Sequence, residues 1–276
     1  MAHMDDHLAI ANAAFATRQN YVRAIKLLMI HYQKLPEQCT VEQIKAFLIH
    51  QREHHHISAS TLNMRVCGLK YYFRHIVLRQ DLVVSIPNPR IQKYQTEVLT
   101  IDELKKLFNC CRDMRQVLIL HLMYDSGIRV RELIRLRPGD FDKHYKSIAI
   151  RNSKGQKTRV LKYGDRLRDT LNKYCRVMGG VPKNTLIESY KDKGSPLSLG
   201  GVQHIVKEIV RRSGIKKRIH PHTFRHTFAV HYLNRGGSLF RLQQLLGHQN
   251  ITTTLHYLKY ANLPEGLDIS VLDTMP

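Results

Sequence analysis

The chain has 276 residues, with 44 lysines and arginines against 22 aspartates and glutamates, a formal net charge of +22 and a pI near 10.0. This length allows two domains with separate cores, and the charge favours a polyanionic partner such as nucleic acid. No signal peptide is visible, and no apolar run approaches the roughly 20 residues of a membrane span. The five cysteines contain no CxxC pair, which argues against a disulfide framework or zinc site and for a reducing cytosol.

The first part of the chain, residues 5–84, is predicted to be a helical domain. Thr40 and Gln43 have the spacing of a capping box that opens a helix. Three histidines at 54–56 suit a solvated helix end better than a metal site. Met-Ala-His-Met at the start looks like a cloning remnant and is left out of this domain. Apolar residues at helical spacing occupy 8–32, 44–49 and 62–78.

A linker is predicted at 85–97, where Pro87 and Pro89 interrupt any periodic apolar pattern. Thr100 and Glu103 then form a second capping box, so a new domain begins near residue 98. Residues 1–97 carry 12 basic and 7 acidic side chains, a net charge of +5. The rest carries 32 basic and 15 acidic side chains, a net charge of +17, so most of the positive charge belongs to the second domain.

The second domain, 98–276, is predicted to be mainly α with a small antiparallel β-sheet. An apolar helix over 117–124 ends at Gly127, a residue typical of helix C-caps. Two β-type segments, 146–151 and 158–162, are joined by a short polar turn and predict a hairpin. Further helices are predicted at 166–177, 199–212, 223–233, 239–246 and 252–260.

Six residues of this domain offer a chemistry for attack on a phosphodiester without a metal. Arginine presents a planar fork of donors that matches two phosphate oxygens. Tyrosine can form a covalent intermediate once its proton is removed and the developing charge is stabilised. His222 and Arg225 are three residues apart and share one helix face near the helix N-terminus, where a phosphate is favoured. The six are Arg129, Lys154, His222, Arg225, His248 and Tyr257.

The segments around these residues resemble the tyrosine recombinase family of phage integrases, Xer-type recombinases and integron integrases. They are SGIRVRELIRL at 126–136, the hairpin that contains Lys154, HPHTFRHTFAVHYLNRGG at 220–237 and LLGHQNITTTLHYLKY at 245–260. The resemblance implies a helical, SAM-like core-binding domain over 5–84, a linker over 85–97, and a mixed α/β catalytic domain over 98–276 with a C-terminal tail.

The resemblance also implies a role for each residue. Arg129 and Arg225 would clamp the scissile phosphate, and Glu132 would orient Arg129. The other family positions are Lys154 as general acid, His222 in proton transfer or phosphate binding, His248 on a non-bridging oxygen, and Tyr257 as nucleophile.

Several neighbouring residues remain as alternatives. Lys157 competes with Lys154 for the general-acid role, and Tyr260 competes with Tyr257, although a spacing of nine from His248 favours Tyr257. His220 and His226 are expected to cap or pack. Surface roles or phosphate contacts are expected of Arg131 and Arg135.

The implied function is site-specific recombination of double-stranded DNA through a 3′-phosphotyrosyl intermediate and a Holliday junction. A homotetramer on two DNA sites follows from that reaction, with no cofactor, no metal and no membrane. The protein would be cytoplasmic, encoded by a bacterium or a phage, and associated with the nucleoid. Residues 261–276 would pack on a neighbouring protomer or on their own domain. The alternatives are a type IB topoisomerase that relaxes DNA, and a catalytically silent DNA-binding protein of the same fold.

Overall fold

Residues 2–90, 96–151, 158–192 and 194–262 are described by the computed structural model of the chain. The chain divides into two units, Met1–Tyr94 and Gln95–Pro276, each with its own hydrophobic core. We refer to them as the first and the second unit. The described residues contain no helix that is long and apolar enough to cross a membrane.

The first unit is helical, as the sequence predicts. The capping box at Thr40 and Gln43 is formed, and the three histidines after α3 are exposed. Tight packing joins α2 to α4, because a Cβ added at Gly68 would lie 2.9 Å from the Cα of Tyr21. The helices are α1 (Ala2–Ile10), α2 (Phe15–Tyr32), α3 (Val41–Glu53), α4 (Ala59–His75) and α5 (Gln80–Ser85), with a 3₁₀ turn at Pro36–Gln38.

Two sequence predictions for this unit need correction. The apolar stretch over 8–32 is two helices rather than one, because the chain turns after Ile10 with Asn12 at a φ of 53°. Setting residues 1–4 aside was also wrong, since Met4 is only 1% exposed and packs in the core with Leu8. The first helix therefore contributes to the core from its first turn.

The second unit combines helices with a small sheet. The three strands are antiparallel in the order β1-β2-β3, with Ile148 opposite Leu161. The strands are β1 (Phe141–Asp142), β2 (Ser147–Ile150) and β3 (Arg159–Lys162). The helices are α6 (Ile101–Asn109), α7 (Met114–Ser126), α8 (Val130–Leu133), α9 (Asp165–Val177), α10 (Leu199–Ser213), α11 (Pro221–Asn234), α12 (Leu239–Leu246) and α13 (Thr252–Leu255), with 3₁₀ turns at Pro138–Asp140 and His256–Tyr260.

The mainly helical class with a small antiparallel sheet is confirmed, as are the capping box at Thr100 and the paired strands of the predicted hairpin. Strand β1 and the single-turn helix α8 were not predicted, since neither is long enough to show a periodic apolar pattern. The predicted last helix is an α-helical turn that tightens into a 3₁₀ turn at His256. A second apolar cluster in this unit surrounds Tyr257.

Candidate active site

Arg129 lies at a sharp turn between two helices. Gly127 ends α7 in the left-handed conformation, with a φ of 55°, and a Cβ there would meet the ring of Phe228 at 2.5 Å. A side chain at 127 is thus excluded by strain and by contact. Arg129 then occupies the N-cap position of α8 with its side chain 35% exposed, so its guanidinium is both anchored and accessible.

The guanidinium of Arg129 is held from two sides. Its Nη1 donates to Oε1 of Glu132 at 3.0 Å, and its Nη2 donates to the carbonyl oxygen of Gly247 at 3.1 Å. The backbone N–H of Arg129 donates to Oε2 of Glu132 at 2.8 Å. Glu132 therefore bonds to both the side chain and the backbone of Arg129.

Arg225 lies on the buried face of α11 and is only 4% exposed. Its Nη1 donates to the carbonyl oxygen of Gly127 at 2.6 Å, and its Nη2 donates to the carbonyl oxygen of Leu246 at 2.7 Å. Burial, followed by the charge of Arg129, lowers the pKa of Arg225 to about 10. The guanidinium remains charged at neutral pH and is fixed by two backbone segments.

His248 joins Arg225 to the loop after α12. That helix ends at Gly247, which has a φ of 62°, and the next residue turns its ring toward Arg225. The Nε2 of His248 lies 3.0 Å from Nη2 of Arg225, and its Nδ1 lies 2.9 Å from Oγ1 of Thr254. Because arginine only donates hydrogen bonds, Nε2 is the acceptor and Nδ1 carries the proton of a neutral ring. Burial and then Arg225 and Arg129 lower the pKa of His248 to about 4.

Tyr257 is 4% exposed and packs within the small apolar cluster of the second unit. Its ring lies 6.2 Å from the ring of His248 and 5.3 Å from that of His226, measured between centroids. Burial raises the pKa of Tyr257, and the positive charge of Arg225 opposes that rise. Of the charged groups near the phenol, Arg225 is therefore the one that most favours the ionised form.

Tyr260 has a different environment. Its hydroxyl accepts a hydrogen bond from the backbone N–H of Thr96 at 3.4 Å, and its ring meets that of His256 edge-on. Of the two tyrosines that the sequence offers, Tyr257 is the one beside Arg225 and His248.

His222 and the two flanking histidines lie along the start of α11. His222 is in the first turn and its side chain is exposed, but partial desolvation, followed by the charge of Arg225, lowers its pKa. His220 precedes the helix, and its backbone N–H donates to the hydroxyl of Thr223 at 3.1 Å, as expected of a capping position. His226 packs against the ring of Tyr257. Arg131 and Arg135 are exposed.

Lys154 and Lys157 lie outside the described residues, as does the tail from 263 onward. The strands on either side of the predicted turn, β2 and β3, are described and paired. Within the described ranges, no group of three histidine, cysteine, aspartate or glutamate side chains is placed to hold a metal ion. The absence of a metal requirement stays a prediction.

One residue of the site is absent from the sequence prediction. Arg159 on β3 has a side chain only 9% exposed and makes a two-pronged ion pair with Glu132. Strand periodicity could have indicated it, because Arg159 is two residues before the buried Leu161 and so faces the same side of the sheet. A charged side chain on an inner face calls for a buried partner of opposite charge.

Sequence comparisons agree with this arrangement. The profile described as Phage integrase family matches residues 97–262, and that described as Phage integrase, N-terminal SAM-like domain, matches residues 1–81. A tyrosine recombinase of Pseudothermotoga lettingae is 34% identical over 209 residues, which are 73% of this chain and 71% of that protein. Tyrosine recombinase XerC of Staphylococcus epidermidis is 28% identical over 218 residues, 75% of this chain and 73% of its own.

Solved structures show the same fold. A lambda integrase (75–356) dimer bound to a COC′ core site aligns with a TM-score of 0.77 and 22% identity, covering 98% of both chains. XerH site-specific recombinase bound to a palindromic difH substrate aligns with a TM-score of 0.74 and 19% identity, over 91% of this chain and 78% of that one. The chain belongs to the phage integrase family of tyrosine recombinases, enzymes that recombine DNA.

Proposed function

We propose that this protein is a site-specific DNA recombinase that cuts and rejoins strands through Tyr257. One observation carries the proposal: the buried guanidinium of Arg225 bonds to the carbonyl oxygen of Gly127 and to His248, whose ring is stacked on that of Tyr257 with centroids 6.2 Å apart. A phenol beside two fixed guanidiniums is suited to attack a phosphate that those guanidiniums hold.

In the cleavage step, the phenolic oxygen of Tyr257 attacks the scissile phosphorus while the phenol loses its proton. A bond forms between that oxygen and phosphorus, and the bond from phosphorus to the 5′ oxygen breaks. The products are a 3′-phosphotyrosyl link and a free 5′ hydroxyl. Because the covalent link keeps the energy of the phosphodiester, a 5′ hydroxyl of another strand can attack it and restore the DNA backbone without a cofactor.

The two arginines have different parts in this step. Each guanidinium has five N–H donors, and those engaged by protein oxygens leave others for a phosphate. Arg225 is rigidly placed by the carbonyls of Gly127 and Leu246, whereas Arg129 is partly exposed and is oriented by Glu132. Donors fixed before the reaction stabilise the transition state without reorganising.

The two histidines supply hydrogen bonds to the same phosphate. A neutral His248 that accepts from Arg225 donates to a phosphate oxygen through Nε2 only after its proton changes nitrogen or a second proton binds. DNA binding therefore replaces the Arg225–His248 bond with bonds from both groups to the phosphate. His222, in the first turn of the same helix as Arg225, binds the phosphate or transfers a proton.

Lys154 completes the proposal as the general acid that protonates the leaving 5′ oxygen. A substrate with sulfur in place of that bridging oxygen tests this role, because a thiolate leaves without a proton. The sulfur substrate should restore cleavage to Lys154→Ala, while Lys157→Ala should gain no such advantage. Equal rescue of both variants would remove the assignment.

The DNA-bound assembly is also part of the proposal. We assign DNA binding to a core-binding domain at 5–84 and a catalytic domain at 98–276, joined by the 85–97 linker, acting in the cytoplasm on nucleoid DNA. A structural neighbour of the chain is a lambda integrase tetramer bound to a Holliday junction, with a TM-score of 0.74 and 22% identity. Exchange between two sites needs four strand cuts, which a tetramer supplies with one tyrosine each.

Covalent capture on a nicked DNA substrate tests the function. The nick releases a short fragment after cleavage, so the enzyme stays attached and migrates as a DNA adduct. Tyr257→Phe should form no adduct while binding DNA as the unmodified protein does, and Tyr260→Phe, the matched control, should still form it. An adduct with Tyr257→Phe would contradict the proposal, and relaxation of supercoiled DNA without strand exchange would favour a topoisomerase.

A further inference from the structure

Arg159 is more completely enclosed than its partner in the site, Arg129. The Arg159 side chain is 9% exposed, against 35% for that of Arg129. Its Nη1 donates to Oε1 of Glu132 at 2.9 Å, and its Nη2 donates to Oε2 at 2.7 Å. This two-pronged geometry fixes the plane of the carboxylate.

Glu132 therefore accepts hydrogen bonds from two guanidiniums, those of Arg159 and Arg129. Although burial raises its pKa, hydrogen bonds and charge from Arg159, and then Arg129, hold the pKa of this carboxyl at about 2. The side chain of Arg129 makes a single hydrogen bond to this carboxylate, from Nη1 to Oε1. The carboxylate position that orients Arg129 is thus set largely by Arg159.

Arg159 also reaches the loop that presents His248. Its Nε donates to the carbonyl oxygen of Leu245 at 2.9 Å. A Cβ added at Gly247 would lie 3.1 Å from Nη1 and 3.2 Å from Cδ of Arg159, so the glycine backbone rests against this side chain. The carbonyl of Gly247 in turn accepts from Nη2 of Arg129.

We propose that Arg159 is a positioning residue for strand cleavage, one that holds Glu132 and the 245–247 turn so that Arg129 and His248 face the scissile phosphate. The inference rests on the proposed function. Arg159 is itself too enclosed to contact DNA and acts through these two neighbours. Arg159 also lies on β3, the strand that follows the turn predicted to carry Lys154. Through Glu132 it connects this strand to Arg129.

Loss of Arg159 should have a defined effect on the site. Glu132 would keep Arg129 as its remaining guanidinium partner and would be free to turn onto it, which neutralises part of the charge that faces the phosphate. The 245–247 turn would lose the donor to Leu245. A displacement of catalytic groups by about 1 Å is sufficient to slow an enzyme on the order of 10²-fold.

The experiment measures single-turnover cleavage on the nicked substrate at saturating DNA, with the full chain. The amplitude counts the folded, competent molecules, and the rate constant reports how well each one cleaves. Arg159→Met should lower the rate constant about 10²-fold. Arg159→Lys keeps the charge but not the two-pronged geometry, so it should retain part of the rate, about tenfold below the unmodified protein. Lys162→Met, the control, removes an exposed charge from the same strand and should leave the rate constant unchanged.

A double-mutant cycle shows whether Arg159 acts through Glu132. The rate constant of the double variant Glu132→Gln/Arg159→Met should lie within about threefold of that of the slower single variant, because both substitutions remove the same support of Arg129. If the rate losses of the two single variants multiply in the double variant, the positioning role is overturned. A loss of amplitude with an unchanged rate constant would also overturn it and would leave Arg159 a structural role. If Arg159→Met does not fold, Arg159→Lys decides by the same criteria.

These outcomes are separable from a failure of the proposed function. If the unmodified protein forms no adduct through Tyr257, the recombinase proposal fails. If it cleaves and Arg159→Met and Arg159→Lys cleave with unchanged rate constants, only the role of Arg159 is contradicted.

Discussion

The two units bury different kinds of side chain. Among the described residues of the first unit, Gln51 is the buried polar side chain, and it accepts a hydrogen bond from Arg65. The second unit buries charged groups, including Asp140, Glu188 and Arg225, together with several serines and threonines. Burying charge costs free energy unless it is paired or hydrogen-bonded. The second unit thus accepts a stability cost that the first avoids, and Arg225 brings part of that cost to the proposed site.

The same contrast exists between the two clamp arginines. Arg225 is buried among backbone carbonyls and is part of the interior, whereas Arg129 is partly exposed and depends on Glu132. Replacing Arg225 removes an interior hydrogen-bonding group along with a proposed phosphate donor. Replacing Arg129 removes the proposed phosphate donor alone. Substitutions that preserve charge can therefore separate chemistry from folding.

The largest expected effect comes from replacing either clamp arginine by lysine. Arg129→Lys and Arg225→Lys should each slow cleavage by about 10² to 10³, because lysine cannot present the two-pronged geometry. Arg225→Lys should also lower the free energy of unfolding by about 2 kcal/mol or more, since carbonyl partners in the interior lose their donors. Arg129→Lys should change it by about 1 kcal/mol or less. Single-turnover cleavage and urea unfolding measure the two quantities.

A lysine variant that cleaves at near-normal rate would contradict the phosphate-clamp role. Equal losses of stability in the two variants would contradict the difference between a buried and an exposed arginine. Arg241→Lys on α12 is a control, because its side chain is exposed and donates to Gln244, the one side-chain partner it has among the described residues.

The next effect distinguishes packing from catalysis with two glycines. Gly68→Ala places a Cβ 2.9 Å from the backbone of Tyr21 and should destabilise the protein by about 1–3 kcal/mol while the cleavage rate constant stays unchanged. Gly247→Ala should cost about 1–2 kcal/mol for its left-handed backbone and should also slow cleavage, because the added carbon presses on Arg159.

Gly139→Ala is the control for both, since a Cβ there meets nothing within 4 Å. Urea unfolding gives the stabilities, and the adduct assay gives the rates. Slower cleavage by the folded Gly68→Ala protein, or normal cleavage by Gly247→Ala, would contradict the assignment of cleavage to the second unit and of packing alone to Gly68.

Many of the helices, strands and candidate site residues could be predicted from the sequence, because the relevant signals are local. Capping boxes at Thr40 and Thr100, the helix-ending Gly127 and the hairpin of β2 and β3 depend on residues a few positions apart. The order Arg129, Arg225, His248 and Tyr257 was legible for the same reason, since each is set in a recognisable segment. The structure brings these four residues together in one unit.

Contacts between distant segments could not be predicted in this way. Arg159 bonds to Glu132 across 27 positions and to Leu245 across 86, and a single sequence gives no register between such segments. The tie between Nδ1 of His248 and Thr254 was missed because it depends on the loop geometry after Gly247. Met4 was set aside on composition, although burial decides its role.

A smaller effect is expected from pH in the absence of DNA. Burial is the first cause that lowers the pKa of both His226 and His248 to about 4, below the 6.5 of an unfolded histidine. The unfolded chain therefore binds more protons than the folded chain between these values, and stability present above pH 6.5 is lost as the pH falls toward 4. Between pH 7.5 and 5.0 the loss should be about 1–2 kcal/mol for each histidine.

Urea unfolding of the full chain at the two pH values measures this loss. His248→Gln should reduce the difference, whereas His55→Gln, which changes an exposed residue of the first unit, should not. A stability that rises on acidification would contradict the assignment of neutral, half-buried histidines to the second unit.

The smallest expected effect is that of removing divalent metal. A divalent cation would have to enter a site that already holds the charges of Arg129 and Arg225, while both oxygens of the neighbouring carboxylate, Glu132, are taken by guanidiniums. In the mechanism proposed above, those guanidiniums provide the charge stabilisation that a metal ion supplies in other phosphoryl-transfer sites. Excess EDTA should therefore leave the single-turnover cleavage rate within about twofold of its value with Mg²⁺, a change below that of any substitution above. Because Mg²⁺ also screens DNA phosphates and weakens binding, the comparison is made at saturating DNA and matched ionic strength. A rate that collapses in EDTA and returns with Mg²⁺ would mean that the arginines do not suffice. The burial of charged side chains in the second unit would then lose its catalytic meaning.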